Sequence, residues 1–200
     1  PISEVSNTAT FTNLGAGIGE FAWAPTCAEV RLAPYQVVFK AKDLGNTVTL
    51  TDIETASIRI VAPSVENVFA EPVGNTVLLN WDGGACADNL NPWQIEDGYH
   101  DIYRRHESQT WEPTVCETGV PDELGYELIA SVQDLNNTSY VDDDLLSFGA
   151  TYCYRIVMRF DDGSESLSSD EICATIKKDV PVMTHAEVLT TSELGEVYVG

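Results

Sequence analysis

The sequence predicts an all-β protein made of tandem antiparallel β-sandwiches, on three observations. Short runs rich in β-branched and aromatic residues recur along the chain, each bounded by Gly, Pro, Asn or Asp. No stretch keeps a helical apolar period for more than about two turns. The 200 residues are 44% hydrophobic and 21% charged, which suits one large globular domain or two small ones rather than a disordered chain.

Taken in order, Gly15-Ala16-Gly17-Ile18-Gly19 reads as a turn: it echoes a nucleotide-binding loop, but Phe21-Ala22-Trp23 follows it as a strand and no helix does. Gln36 to Asp43 alternates and breaks at Leu44-Gly45-Asn46. Ser57-Ile58-Arg59-Ile60-Val61 alternates again and stops at Ala62-Pro63. Thr76 to Trp81, Tyr99 to Arg104, Tyr126 to Ala130 and Tyr152 to Phe160 are further strands. Val65 to Trp81 resembles Met183 to Gly200, each reading as strand, turn and strand, so the residue after Gly200 is expected to be Trp.

Charge divides the chain at two prolines. Residues 1–62 carry −2, residues 63–180 carry −17 and residues 181–200 carry −3, for a formal net charge of −22. The cuts fall at Ala62-Pro63 and Val180-Pro181, where a strand must end because proline donates no hydrogen bond. So acidic a chain is a poor partner for nucleic acid, which binds through Lys and Arg, and for anionic membrane surfaces. No apolar run approaches the roughly 18 residues of a membrane span, so membrane insertion is not expected.

Residues 63–180 resemble a fibronectin type III domain. Trp81 ends the second strand, Tyr99 to Arg104 is the third, and Leu146-Ser147-Phe148-Gly149-Ala150-Thr151-Tyr152 matches the family's tyrosine corner, with Phe148 where Pro is usual. The resemblance implies that Tyr152, Tyr154, Ile156 and Met158 face the core and that the Tyr152 hydroxyl bonds to backbone near Leu146. Two insertions lengthen the pattern, residues 83–98 with Trp93 and residues 106–124 with Trp111, Cys116 and Pro121. Long loops in compact domains carry function or a tether. These tryptophans either pack the insertions onto the sandwich or form an aromatic patch for glycan or protein.

Five cysteines occur without a Cys-x-x-Cys motif, which disfavours zinc ribbons and thioredoxin-type chemistry. Cys153 and Cys173 are symmetric about Gly163 and should lie opposite each other on the last two strands, on the outer face, in reach of a disulfide. Cys86 and Cys116, one in each insertion, are expected to pair and staple both loops. Cys27 is left free or pairs upstream of Pro1. Disulfides imply an extracellular, secreted or cell-surface location.

Residues 1–62, with Phe21 to Cys27 followed by Pro34 to Asp43, resemble the closing part of a cadherin-like or immunoglobulin-like sandwich. Residues 181–200 read as the first strands of a further module. The series is similar to the gliding-motility-associated cell-surface proteins of Bacteroidetes exported by type IX secretion. The pieces that carry this are Trp23-Ala24-Pro25-Thr26-Cys27, Tyr103-Arg104-Arg105, Cys116 to Pro121 and Tyr152-Cys153-Tyr154-Arg155. The resemblance implies neighbouring modules of one long chain as partners, with type IX secretion or outer-membrane components, or a surface glycan or protein, beyond them. Ala41-Lys42-Asp43 matches the calcium-binding Ala-x-Asp of cadherins, but calcium takes about six to eight oxygen ligands and the acidic linker that would supply them is replaced by Ile60-Val61-Ala62-Pro63. No cofactor other than calcium is suggested.

Catalysis finds little to build on. His106-Glu107-Ser108-Gln109-Thr110 starts like a zincin helix but lacks its second His, and no Gly-x-Ser-x-Gly elbow occurs. The chain is expected to be no enzyme but a structural or adhesive segment. The alternatives are a carbohydrate- or protein-binding module using Trp93 and Trp111, or an accessory module of an extracellular hydrolase.

Overall fold

A computed structural model describes residues 8–43, 48–83, 86, 98–144, 146–177, 186–189 and 197–199. The first part holds β1 (Thr10–Gly15), β2 (Ile18–Ala22), β3 (Tyr35–Lys42) and β4 (Thr51–Ile58). Then come β5 (Phe69–Val73), β6 (Thr76–Asn80), β7 (Tyr99–His106), β8 (Glu127–Gln133), β9 (Ser139–Asp142), β10 (Thr151–Arg159) and β11 (Ile172–Thr175). A last ribbon pairs β12 (Ala186–Val188) with β13 (Val197–Val199). The described fold is all-β and every ladder is antiparallel.

Strands β5-β6-β9 form one sheet and β11-β10-β7-β8 the other. This three-over-four arrangement is a fibronectin type III-like sandwich. Inward-facing Val77 and Leu79 of β6, Ile102 of β7 and Tyr152, Tyr154, Ile156 and Met158 of β10 meet in one core with Trp81 and Phe160. At the tyrosine corner the Tyr152 hydroxyl accepts from the Ser147 N–H at 3.0 Å, and Gly149, at φ +86°, donates to the Ile176 carbonyl. Phe148 points to solvent, so the corner closes without the usual proline.

Strand β10 is buried on both faces from Tyr152 to Met158, which explains why Tyr152 to Phe160 lacks the polar alternation of a half-exposed strand. Cys153 lies opposite Cys173 and is bonded to it. The symmetry about Gly163 identifies this pair, although the hairpin does not keep one register. Near the tip Arg159 faces Glu165, and two further residues are absorbed before Cys173 meets Cys153.

The first part consists of two ribbons, β1–β2 and β3–β4, joined through aromatic contacts of Phe39 with Phe11 and Phe21 at 6.1 and 5.8 Å. Trp23 meets Tyr35 edge-on at 4.9 Å. The strand read at residues 57–61 lies earlier, because Tyr35 opposite Ile58 fixes where the β3–β4 ladder ends. Residues beyond it run to Ala62, which bridges in parallel to Ser166 while the Leu167 N–H donates to its carbonyl.

The expected Cys86–Cys116 bond is not formed. Cys86 is buried in the sandwich core and bonded to Cys27, and Cys116 is an exposed free thiol. Cys86 points into the core between the two sheets, whereas Cys116 is exposed on the segment after β7 that covers the outer face of the four-stranded sheet. Cys27 is brought to Cys86 by a short 3-10 turn, Cys27–Glu29. Thr26 caps it from one side and the Glu29 carboxylate returns to the Thr26 N–H at 2.6 Å. Val30, 2% exposed, then enters the core beside Ala62 and Val65, and the Leu32 N–H donates to Asp162 on the final hairpin at 2.8 Å. Burial alone would raise the Asp162 carboxyl, but hydrogen bonds from Ser164 and the Leu32 amide hold it below its usual range.

Candidate functional site

The outer face of the four-stranded sheet carries the densest polar chemistry among the described residues. Outward parity on β10 places Cys153, Arg155, Val157 and Arg159 there, yet the first three are almost fully buried. The cover is the segment following β7. The Trp111 carbonyl accepts from Arg155 Nη2 at 2.8 Å, and its ring lies with its centroid 4.9 Å from the guanidinium carbon. Arg155 also donates to the Ser169 carbonyl at 2.7 Å and to the Tyr126 hydroxyl at 3.2 Å. All three guanidinium nitrogens therefore have partners, as a buried charge requires.

Glu171 supplies the counter-charge. Its carboxylate accepts from the Ser108 and Tyr126 hydroxyls and from the Gln109 N–H at 3.0 Å. Burial raises this carboxyl, but those donors and the Arg155 charge more than offset it, and it sits below the usual Glu range. Tyr126 moves the other way, pushed up to about 12 by burial and by its bond to Glu171. A carboxyl shifted down and a phenol shifted up are each moved away from proton transfer near neutral pH. The arrangement fastens the insertion to the sheet.

A second set lies along the same face. Asp101, 2% exposed, accepts from Ser131 and from Arg159 Nε at 2.8 Å, and Arg159 reaches Glu165 at 2.6 Å. The far end of the insertion is held by backbone: the Gly119 N–H donates to the Ser166 carbonyl at 3.0 Å. Gly119 has φ +74°, which glycine adopts without strain, and an added Cβ there would also push aside the Glu165 carboxylate, 2.5 Å away.

Of the residues singled out in the sequence, Trp111 is half-buried and packs the insertion onto the sandwich. Trp93 lies outside the described residues. Asp43 is exposed at the end of β3, where its N–H donates to the Leu50 carbonyl at 2.9 Å. Among the described residues, Cys153, Glu171 and Cys173 form a group close enough to share a metal, but the two sulfurs are bonded to each other and present no thiolate. The Arg155–Glu171 network was missed because outward parity reads as solvent exposure. The missing alternation around Val157 was its signal.

Replacing Trp111 by alanine removes the ring from Arg155 and opens that buried charge to water. We expect a loss of about 2 kcal/mol in urea unfolding and faster proteolysis between Ser108 and Leu124. Unchanged stability would mean the insertion is not held by this contact.

No family model matches the chain, and no curated protein does. Solved structures similar to it include the third fibronectin III domain of the human KIAA0343 protein, 14% identical over 62% of this chain and 90% of that one, with a TM-score of 0.42. The twitchin kinase region from C. elegans is 14% identical over 69% of this chain and 20% of that one, TM-score 0.40. A beta-1,2-glucanase from Parabacteroides distasonis is 18% identical over 66% of this chain and 16% of that one, TM-score 0.37. Likenesses this remote concern the fold alone.

Proposed function

We propose that the chain is a non-catalytic structural segment of a large secreted cell-surface protein, spacing and orienting its neighbours or supplying part of an adhesive surface. The observation that carries this is the joint between the first ribbons and the sandwich. Cys27–Cys86, Val30 in the core, and the Ala62–Ser166 bridge tie the two parts at separate points. A joint fixed covalently and by packing passes orientation along a chain, which a flexible linker does not do.

Two disulfides support an oxidising, extracytoplasmic setting. The similarity of the motifs to gliding-motility-associated proteins supports export by type IX secretion. Residues 1–62, 63–180 and 181–200 would then be successive modules, with neighbouring modules of the same chain as their first partners. The aromatic-patch reading is less well supported, since the Trp111 ring is already engaged by Arg155.

The test is to label intact cells with a membrane-impermeant reagent and size the native polypeptide that contains this sequence. The proposal expects a labelled chain many times 21.9 kDa. An unlabelled chain near that mass, retained in the cytoplasm, would contradict it.

A further inference from the structure

We infer that His100 is an acid-responsive element built into the sandwich core, a neutral imidazole whose protonation loosens the packing between the two sheets. His100 sits on the inner face of β7, opposite Val132 of β8 and Met158 of β10, and is 0% exposed. Its ring meets Trp81 edge-on at 5.2 Å. By hydrogen-bond geometry neither ring nitrogen of His100, nor the indole N–H of Trp81, has a partner among the described residues, although the Asn137 backbone lies near enough to the imidazole to favour its charged form. Buried polar atoms are nearly always paired, so two rings in contact whose three N atoms lack a well-formed hydrogen bond mark a position where an apolar side chain would pack with little penalty.

A neutral imidazole is tolerated in such a place, whereas an imidazolium is not. The elements around it offer little to compensate a charge: Trp81 follows β6, β8 and β10 present Val132 and Met158, and the turn after β8 brings Asp134 and the Asn137 backbone. Burial pushes the imidazole down to about 4, against smaller upward contributions from the Asn137 backbone and the Asp134 charge. In the unfolded chain the same ring takes its proton near about 6.5. Between those values the unfolded state binds the extra proton, so stability is full above the upper value and falls as pH drops toward the lower one.

The test has two arms on the 200-residue chain. Urea unfolding at pH 7.5 and 4.5 should show an unfolding constant rising roughly 70-fold more in the native protein than in His100→Leu or His100→Phe. Carboxylate contributions such as those of Asp162 and Glu171 are shared by both proteins and drop out of the comparison. Equal acid sensitivity in native protein and variants would overturn the inference. Should neither variant fold, the ring resonances of His100 in the native protein decide. A midpoint below about pH 5 supports the inference, and a midpoint at or above it overturns it.

Discussion

Replacing Asp142 by alanine is expected to destabilise the sandwich by about 3–5 kcal/mol, the cost of leaving a buried charge without its partner. Asp142 ends β9 and is fully buried. It accepts from Arg104 Nη1 of β7 through both carboxylate oxygens, at 2.9 and 3.0 Å, and from the Tyr154 hydroxyl of β10 at 2.8 Å. One side chain from the three-stranded sheet thus holds two strands of the four-stranded sheet, and burial together with the Asp142 bond keeps the Tyr154 phenol protonated far above its ordinary range. Asp142→Ala strands the Arg104 guanidinium, which then keeps its outer contact with exposed Asp144 and its place over the Tyr152 ring. Tyr154→Phe removes one hydrogen bond and should cost only about 1–2 kcal/mol. The combined Arg104→Met, Asp142→Leu, Tyr154→Phe variant should recover most of the loss, because a matched apolar set leaves no buried polar group without a partner. Urea unfolding of the three variants checks the ordering, and a loss below about 1 kcal/mol for Asp142→Ala would show that the triad does not join the sheets.

The second large effect is expected from Cys27→Ser combined with Cys86→Ser. This bond closes a loop of 59 residues, and the chain-entropy relation gives about 4 kcal/mol for a loop of that length. The shorter Cys153–Cys173 loop of 20 residues gives about 3 kcal/mol by the same relation. Because Val30 and the Leu32–Asp162 bond lie just beyond Cys27, opening the first bridge should also raise protease sensitivity around residues 23–35 well before the sandwich unfolds. Equal sensitivity with and without the bond would mean that packing alone fixes the joint.

Much of the fold was legible in the sequence because it rests on local rules. Alternation and turn residues locate β3, β6, β7, β8 and β10 to within a residue or two at most ends. Parity along β10 separates core-facing Tyr152, Tyr154, Ile156 and Met158 from outward Cys153, and the spacing about Gly163 finds its partner Cys173. What stayed hidden depends on contacts between distant segments. Pairing of Cys27 with Cys86 requires residues 27–32 to pack into a core that starts beyond Pro63, and no local pattern encodes that. Asp142 opens the acidic run Asp142-Asp143-Asp144, in which nothing local sets it apart, and only the approach of β7 and β10 turns it into a buried counter-charge. Arg155 points outward by parity, and its burial follows from an insertion whose path the sequence does not specify.

The first ribbons and the sandwich form one covalently fixed unit. Counting free thiols under denaturing conditions, with peptide mapping of the oxidised protein, tests it most directly. One reactive thiol per chain is expected, at Cys116, with Cys27 recovered linked to Cys86 and Cys153 to Cys173. Five reactive thiols, or Cys86 recovered linked to Cys116, would contradict it.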